Sequence, residues 1–159
     1  MDQSKSIPSL SVVIPVYNEE ETLDDILNLV SESDIVSEII IVDDCSKDNS
    51  VEIIRKSSDS ILKKKPDINI IFSQNEKNKG KGASIRAGFE MATCDVIVVQ
   101  DADLEYDPRE YSRLIKPISD GNADVVYGSR FIGGTHRVLY FWHYMGNKML
   151  TLMSNMFSN

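Results

Sequence analysis

The sequence has little cysteine, a deficit of positive charge and no long apolar run. Two cysteines, Cys45 and Cys94, occur among 159 residues, without the CxxC spacing of a metal or redox site. Free thiols in a reducing compartment are therefore expected, and a disulfide scaffold is excluded. No stretch approaches the ~18–20 consecutive apolar residues of a membrane-spanning helix. The polar start of the chain lacks a signal-peptide pattern, so a cytoplasmic location is expected.

The charge balance excludes one class of partner. Lys and Arg total 17 and Asp and Glu total 25, which gives a net charge of −8. A sequence-independent nucleic-acid binder needs a basic face to neutralise phosphates, so no nucleic-acid partner is expected. A local basic pocket for a small phosphorylated ligand remains compatible with this charge. The length fits one domain, and such a chain buries enough surface to fold without a disulfide or metal.

Apolar runs alternate with segments of helical periodicity along the chain. The predicted strands are residues 10–16, 38–42, 68–72, 95–100 and 123–127. A long helix rich in aromatic residues and methionine is predicted over 138–157. Because the strands are continuous apolar runs, they indicate a mostly parallel sheet with helices on both faces. The predicted fold class is therefore α/β and Rossmann-like.

Polar groups follow four of the predicted strands. In parallel α/β sheets, ligands bind at the carboxyl ends of the strands, so a site is expected at this edge. The four segments are Pro15-Val-Tyr-Asn-Glu19, Asp43-Asp44, Asp101-Ala-Asp103 and Gly128-Ser-Arg-Phe131.

The sharpest of these motifs is Asp101-x-Asp103. Two carboxylates one residue apart, directly after a strand, suit Mg²⁺, which is held by one or two carboxylates together with ligand phosphates. Such an ion would stabilise charge on a departing diphosphate. The alternative is that both residues cap a turn. The preceding apolar strand and the charged groups after other strands favour the metal site.

The acidic groups after the first two strands have two interpretations each. In the first interpretation, Asp43 and Asp44 form a turn before the next helix. In the second, Asp44 accepts hydrogen bonds from a nucleobase, and Asp43 or one of its neighbours accepts hydrogen bonds from a ribose. Cap and ligand roles are compatible there. Glu19 is either an acid in a helical first turn or a ligand-facing group.

Basic candidates lie in two further segments. The loop Asn78-Lys-Gly-Lys-Gly-Ala-Ser84 lacks the spacing of known phosphate loops, so its glycines are interpreted as a flexible turn, with Lys81 facing the ligand edge. Arg130 is either a phosphate ligand, through its planar fork of donors, or part of a surface ion pair. The predicted helix 138–157 is interpreted as core or interdomain packing, with peripheral membrane contact as the alternative.

Several motifs in order resemble the family-2 glycosyltransferases of GT-A fold, closest to the dolichol-phosphate mannose synthase-like and polyprenyl-phosphate sugar transferases. The motifs are SVVIPVYNEEETL, IIIVDDCSKDNS, NKGKGASIRAGFEMA, DVIVVQDADLEYDP and DVVYGSRFIGG. The resemblance implies an inverting single displacement, dependent on Mg²⁺ or Mn²⁺, from a GDP- or UDP-sugar. The acceptor would be a polyprenyl phosphate at the cytoplasmic face of a membrane, or a glycan. Residues 1–159 would be the nucleotide-sugar-binding part of a GT-A domain, cut in its acceptor half.

The resemblance also implies roles for individual residues. Asp103 and Arg130 would be catalytic, and Glu105 would join Asp101 and Asp103 at the metal. The nucleotide-binding residues would be Pro15, Tyr17, Glu19, Val42, Asp44, Lys81, Asp101 and Ala102. Two alternatives stay open: a binding-only nucleotide module, as an inactive fragment would be, and a phospho-accepting receiver-like domain, which also carries a VDD sequence. A homodimer is a further expectation.

Overall fold

Strands and helices alternate through the part of the chain that the structure describes, residues 8–128 of a computed structural model. The chain divides into a unit Met1–Val126 and a second unit Tyr127–Asn159, and every helix and strand described belongs to the first. They are β1 (Leu10–Val16), α1 (Leu23–Glu32), β2 (Val36–Asp43), α2 (Ser50–Lys64), β3 (Asn69–Gln74), α3 (Lys81–Met91), β4 (Val96–Val99), a 3₁₀ turn (Pro108–Glu110) and α4 (Tyr111–Ser119).

The four strands form one parallel sheet in the order β3-β2-β1-β4. Val16 pairs with Asp43, which pairs with Gln74, so β1, β2 and β3 end level at their carboxyl ends. The chain builds outward from β1 to β3 and then returns to the other side of β1. The strand order therefore reverses between β1 and β4, and such a switch point is where open α/β sheets bind ligands.

Both faces of the central strands β1 and β2 are covered, as their continuous apolar sequences predict. On one face, Val12 and Ile14 of β1 pack in a core with α1, α2 and α4. On the other face, Val13, Ile40 and Val42 pack against Ala87 and Met91 of α3. Apolar residues on both faces of one strand leave no solvated side. The predicted α/β class is confirmed.

One predicted strand is wrong. Residues 123–127 have no strand structure, and Val125 is 64% exposed. A strand needs a ladder partner for its N–H and C=O groups, and within residues 8–128 the sheet ends at β4, which pairs only with β1. The β-branched pair in this segment raises strand propensity without supplying that partner. The predicted helix 138–157 and Arg130 lie outside the described residues.

Helix α3 begins at Lys81. Gly80 precedes it with a φ of 86°, a left-handed conformation that side chains rarely adopt. None of the helices described within residues 8–128 combines the length and the apolar character that crossing a bilayer requires.

The approach of α3 to the sheet depends on Gly88. A Cβ atom there would overlap the side chain of Val13 on β1, whereas a Cβ at Gly82 in the same helix would meet no atom within 4 Å. Gly88 therefore sets the distance between helix and sheet.

We expect Gly88→Ala to lower the free energy of unfolding by about 1–2 kcal/mol, because overpacking outweighs the better helix propensity of alanine. The matched variant Gly82→Ala should raise it by up to about 1 kcal/mol, because there only propensity changes. Urea denaturation measures both values. Equal effects of the two substitutions would contradict the close approach at Gly88.

A buried carboxylate organises the opposite, amino-terminal edge of the sheet. Glu38 of β2 is 1% exposed. Its oxygens accept hydrogen bonds from Ser11 Oγ (2.5 Å), Asn69 Nδ2 (2.9 Å) and the backbone N–H and hydroxyl of Thr93 (both 3.0 Å). Burial raises the pKa of Glu38, but these donors outweigh it and hold the pKa below its ordinary value. Glu38 thus links β1, β3 and the approach to β4 through one ionised group.

We expect Glu38→Gln to lower the free energy of unfolding by about 2–3 kcal/mol at neutral pH. The reason is that the glutamine NH2 group, itself a donor, would face the hydrogen-bond donors that now bind the carboxylate. Since the native pKa is lowered, the stabilisation by Glu38 is complete above the unfolded-state pKa of about 4.3 and is lost as pH falls through the native value. The free energy of unfolding, measured by denaturation between about pH 3 and pH 7, should therefore depend less steeply on pH in Glu38→Gln than in wild type. The exposed Glu90→Gln serves as control and should keep the wild-type slope.

Candidate functional site

A cleft of about 240 Å³ opens at the carboxyl edge of the sheet, at the switch point between β1 and β4. The loop and helix after β3 contribute Asn78, Gly80 and Ser84 to its wall. The predicted site residues that line it are Pro15, Tyr17, Glu19, Asp44, Lys81, Asp101, Ala102 and Asp103. The structure therefore brings together groups from four separate parts of the sequence.

Among the described residues, Val42 and Glu105 were predicted for the site but do not line the cleft. Val42 is fully buried in the core under α3. Glu105 is exposed, and its backbone N–H donates to Asp103 Oδ1 at 3.0 Å. Arg130 lies outside the described residues. The predicted roles of these three residues stay predictions.

The loops after β1 and β2 are joined by hydrogen bonds. The Asn18 N–H donates to Ser46 Oγ (3.0 Å), and the Lys47 N–H donates back to Asn18 Oδ1 (2.8 Å). The Glu19 N–H donates to Ser50 Oγ (3.0 Å) at the start of α2. These bonds fix the loop that carries Tyr17, which is 46% exposed at the cleft. An exposed ring on a loop held in this way is suited to stack on a planar ligand group.

The carboxylate of Asp44 is almost completely enclosed, since the residue is 3% exposed. It accepts hydrogen bonds from Asn75 Nδ2 (2.8 Å) and from the backbone N–H groups of Lys79 (2.9 Å) and Gly80 (2.7 Å). Burial raises the pKa of Asp44, but these donors outweigh burial and lower it. Asp44 is therefore ionised at neutral pH and ties the loop before α3 to the end of β2.

The other carboxylates in the cleft are electrostatically coupled. Burial raises the pKa of Glu19, and repulsion from Asp103, Asp48 and Asp101 raises it further. Lys81 Nζ lies 2.7 Å from Asp101 Oδ1 and offsets one of these charges. The cleft thus carries an excess of negative charge that favours a cationic ligand.

Sequence reasoning missed the residues that hold the Asp101–Asp103 loop. Gln100, at 1% exposure, donates from Nε2 to the carbonyl oxygens of Asp101 (3.0 Å) and Tyr106 (3.1 Å). Its Oε1 accepts from the Tyr111 hydroxyl of α4 at 2.7 Å, and burial raises the pKa of that phenol. A glutamine that ends an apolar strand directly before the acidic motif was the signal available in the sequence.

We expect Tyr111→Phe to lower the free energy of unfolding by about 1–2 kcal/mol, because Gln100 Oε1 loses its donor in a buried position. Amide hydrogen exchange should rise most in residues 101–106, since the loop loses its link to α4. Tyr127→Phe removes the hydroxyl of a tyrosine that is 89% exposed and is the comparison. Unchanged exchange in residues 101–106 of Tyr111→Phe would contradict this role.

The donors in the cleft fit a hard divalent cation. Asp101, Asp103 and Glu19 all line this one cleft. Among residues 8–128 the structure shows no group of three or more acidic, histidine or cysteine side chains placed to hold a metal. Two carboxylates completed by ligand phosphates are the arrangement that Mg²⁺ adopts with substrates.

Solved structures similar to this chain are GT-A glycosyltransferases. The glucosyl-3-phosphoglycerate synthase of Mycobacterium tuberculosis matches with a TM-score of 0.57 and 24% identity, over 72% of this chain and 41% of that one. A mannosyltransferase of Pyrobaculum calidifontis, in complex with GDP-Man and Mn²⁺, matches with a TM-score of 0.56 and 24% identity, over 62% of this chain and 28% of that one. These likenesses define the fold.

The chain belongs to glycosyl transferase family 2, whose family model matches residues 11–158. An undecaprenyl-phosphate 4-deoxy-4-formamido-L-arabinose transferase of Yersinia enterocolitica is 34% identical over 157 residues, which are 96% of this chain and 45% of that protein. The transferase of the same description from Yersinia pestis is 36% identical over 130 residues, 79% of this chain and 38% of that protein. The chain therefore spans less than half the length of these relatives.

Proposed function

We propose that this chain binds the donor in a metal-dependent, inverting transfer of a sugar from a GDP- or UDP-sugar to a polyprenyl phosphate. The observation that carries the proposal is the cleft at the switch point, which places exposed Tyr17 and the Asp101 and Asp103 carboxylates around one volume. An aromatic face beside paired carboxylates matches the two ends of a nucleoside diphosphate, its base and its metal-bound phosphates.

The comparisons support each substrate in turn. Similar structures hold GDP-Man with Mn²⁺, or UDP with Mn²⁺ in the Mycobacterium tuberculosis synthase. The Yersinia relatives are named for undecaprenyl phosphate. A polyprenyl-phosphate acceptor would place the reaction at the cytoplasmic face of a membrane.

The residues of this chain would act mainly by binding and orientation. Tyr17 would receive the base, and Asp101 and Asp103 would hold Mg²⁺ or Mn²⁺. The ion, when bound, would neutralise charge that develops on the departing diphosphate. A lipid phosphate is already an anion, so its attack on the anomeric carbon needs no strong general base. One displacement of this kind inverts the anomeric configuration.

A binding-only nucleotide module is the second candidate. It is favoured by the lining of the cleft, since Tyr17, Asp101 and Asp103 suit a nucleotide and its metal ion. Membership of the glycosyl transferase family removes the receiver-like alternative.

We expect GDP or UDP, or one of their sugars, to raise the melting temperature by several degrees in the presence of Mn²⁺, because a ligand at about 100 times its Kd stabilises by ~2.7 kcal/mol. Without the metal the shift should be much smaller. Asp103→Ala should lose the metal-dependent part, and Asp67→Ala, an exposed residue outside the cleft, should retain it.

No shift with any of these nucleotides would overturn the proposed function. An assay for lipid-linked sugar with undecaprenyl phosphate separates the two candidates. A metal-dependent shift without product identifies the binding-only module, and product formation identifies the transferase.

A further inference from the structure

The ion pair between Lys81 and Asp101 lies within the cleft. Lys81 Nζ is 2.7 Å from Asp101 Oδ1, and the side chains are 59% and 21% exposed respectively. The other ion pairs found within residues 8–128 join side chains that do not line the cleft. Among the described residues that line it, Lys81 is the only cationic one. It therefore contacts one of the two carboxylates that suit a metal.

We propose that the Lys81 ammonium occupies the cation position on Asp101 whenever no divalent ion is bound there, and leaves that carboxylate to bind the diphosphate when the donor arrives with its divalent ion. This inference rests on the proposed function. It assigns two successive partners to one side chain, Asp101 first and phosphate second.

The backbone of Lys81 is held in place by contacts within the protein. Asp44 receives the N–H groups of Lys79 and Gly80, the two residues that precede Lys81. Lys81 is then the first residue of α3, whose backbone continues with Ala83 N–H donating to the Gly80 carbonyl at 3.0 Å. The attachment point is thus held at the cleft, while the flexible and exposed side chain can exchange partners.

The position of this lysine in its helix is unusual and supports a ligand role. A helix N-terminus carries a partial positive charge and favours acidic residues. The first turn of α3 has no acidic residue and begins with a lysine instead. Two positive features therefore converge on one wall of the cleft, where an anion such as diphosphate would be stabilised.

The charges also explain why the partner would change. Through its ion pair, Lys81 offsets the charge of a carboxylate that otherwise adds to the repulsion on Glu19. A divalent ion on Asp101 repels the ammonium, whereas the diphosphate attracts both cations. An ion pair with an exposed lysine is weak, so its exchange is readily reversible.

The test measures two binding constants in Lys81→Met. Free Mn²⁺ is followed by electron paramagnetic resonance without nucleotide, and GDP and UDP binding is followed by calorimetry at saturating Mn²⁺. Removing the competing ammonium should lower the Kd for Mn²⁺ about two- to fivefold. Removing the phosphate contact should raise the Kd for the nucleotide at least about tenfold.

Lys77→Met is the matched control, because Lys77 is an exposed lysine of the same loop that does not line the cleft. It should leave both constants within about twofold of wild type. Opposite changes in Lys81→Met that are absent from Lys77→Met support the exchange of partners.

A Kd for Mn²⁺ that is unchanged or higher in Lys81→Met overturns the inference while the proposed function stands, because wild type still binds metal and nucleotide. An unchanged nucleotide Kd overturns it as well. If wild type binds neither Mn²⁺ nor nucleotide, the proposed function fails, and the inference fails with it. Thermal denaturation without ligand confirms that each variant is folded.

Discussion

The buried carboxylate of Asp44 is the interaction on which the geometry of the cleft depends. An ionised group at 3% exposure is costly unless donors replace the lost water. Asn75 and two backbone N–H groups supply these donors. The Asp44 N–H also donates to the carbonyl of Val16 at 2.8 Å, so the same residue is tied to β1. One residue thereby sets the distance between the β1 loop and the start of α3.

The acidic loop after β4 is held by a different means. Leu104 follows Asp103 with a φ of 59°, in the left-handed region that costs a non-glycine residue about 1–2 kcal/mol. The loop keeps this conformation because Gln100 binds the carbonyls at both of its ends, Asp101 and Tyr106. The buried side chains of Gln100 and Tyr111 therefore stabilise the strained backbone beside the candidate metal ligands.

Periodicity in the sequence predicted the sheet and the edge that carries the cleft, whereas the tertiary contacts that shape the cleft were not predicted. Continuous β-branched runs located β1, β2 and β4, and they predicted the burial of β1 and β2 on both faces. Because parallel strands share one carboxyl edge, Tyr17, Asp44 and Asp101 were expected together, and they line one cleft. The Lys81 ion pair and the Gln100 link join residues 20 and 11 positions from their partners, and no local pattern encodes such contacts. Residues 123–127 were predicted wrongly for the same reason, since a strand also needs a neighbour.

The donor side of the cleft depends on contacts made within a short part of the chain. The predicted site residues that line it lie between Pro15 and Asp103, and their supports extend only to Tyr111. All belong to the unit Met1–Val126. The transferases to which the chain is similar are more than twice as long as the matched region. Under the proposed function, the nucleotide would therefore be bound by side chains that this one unit supplies.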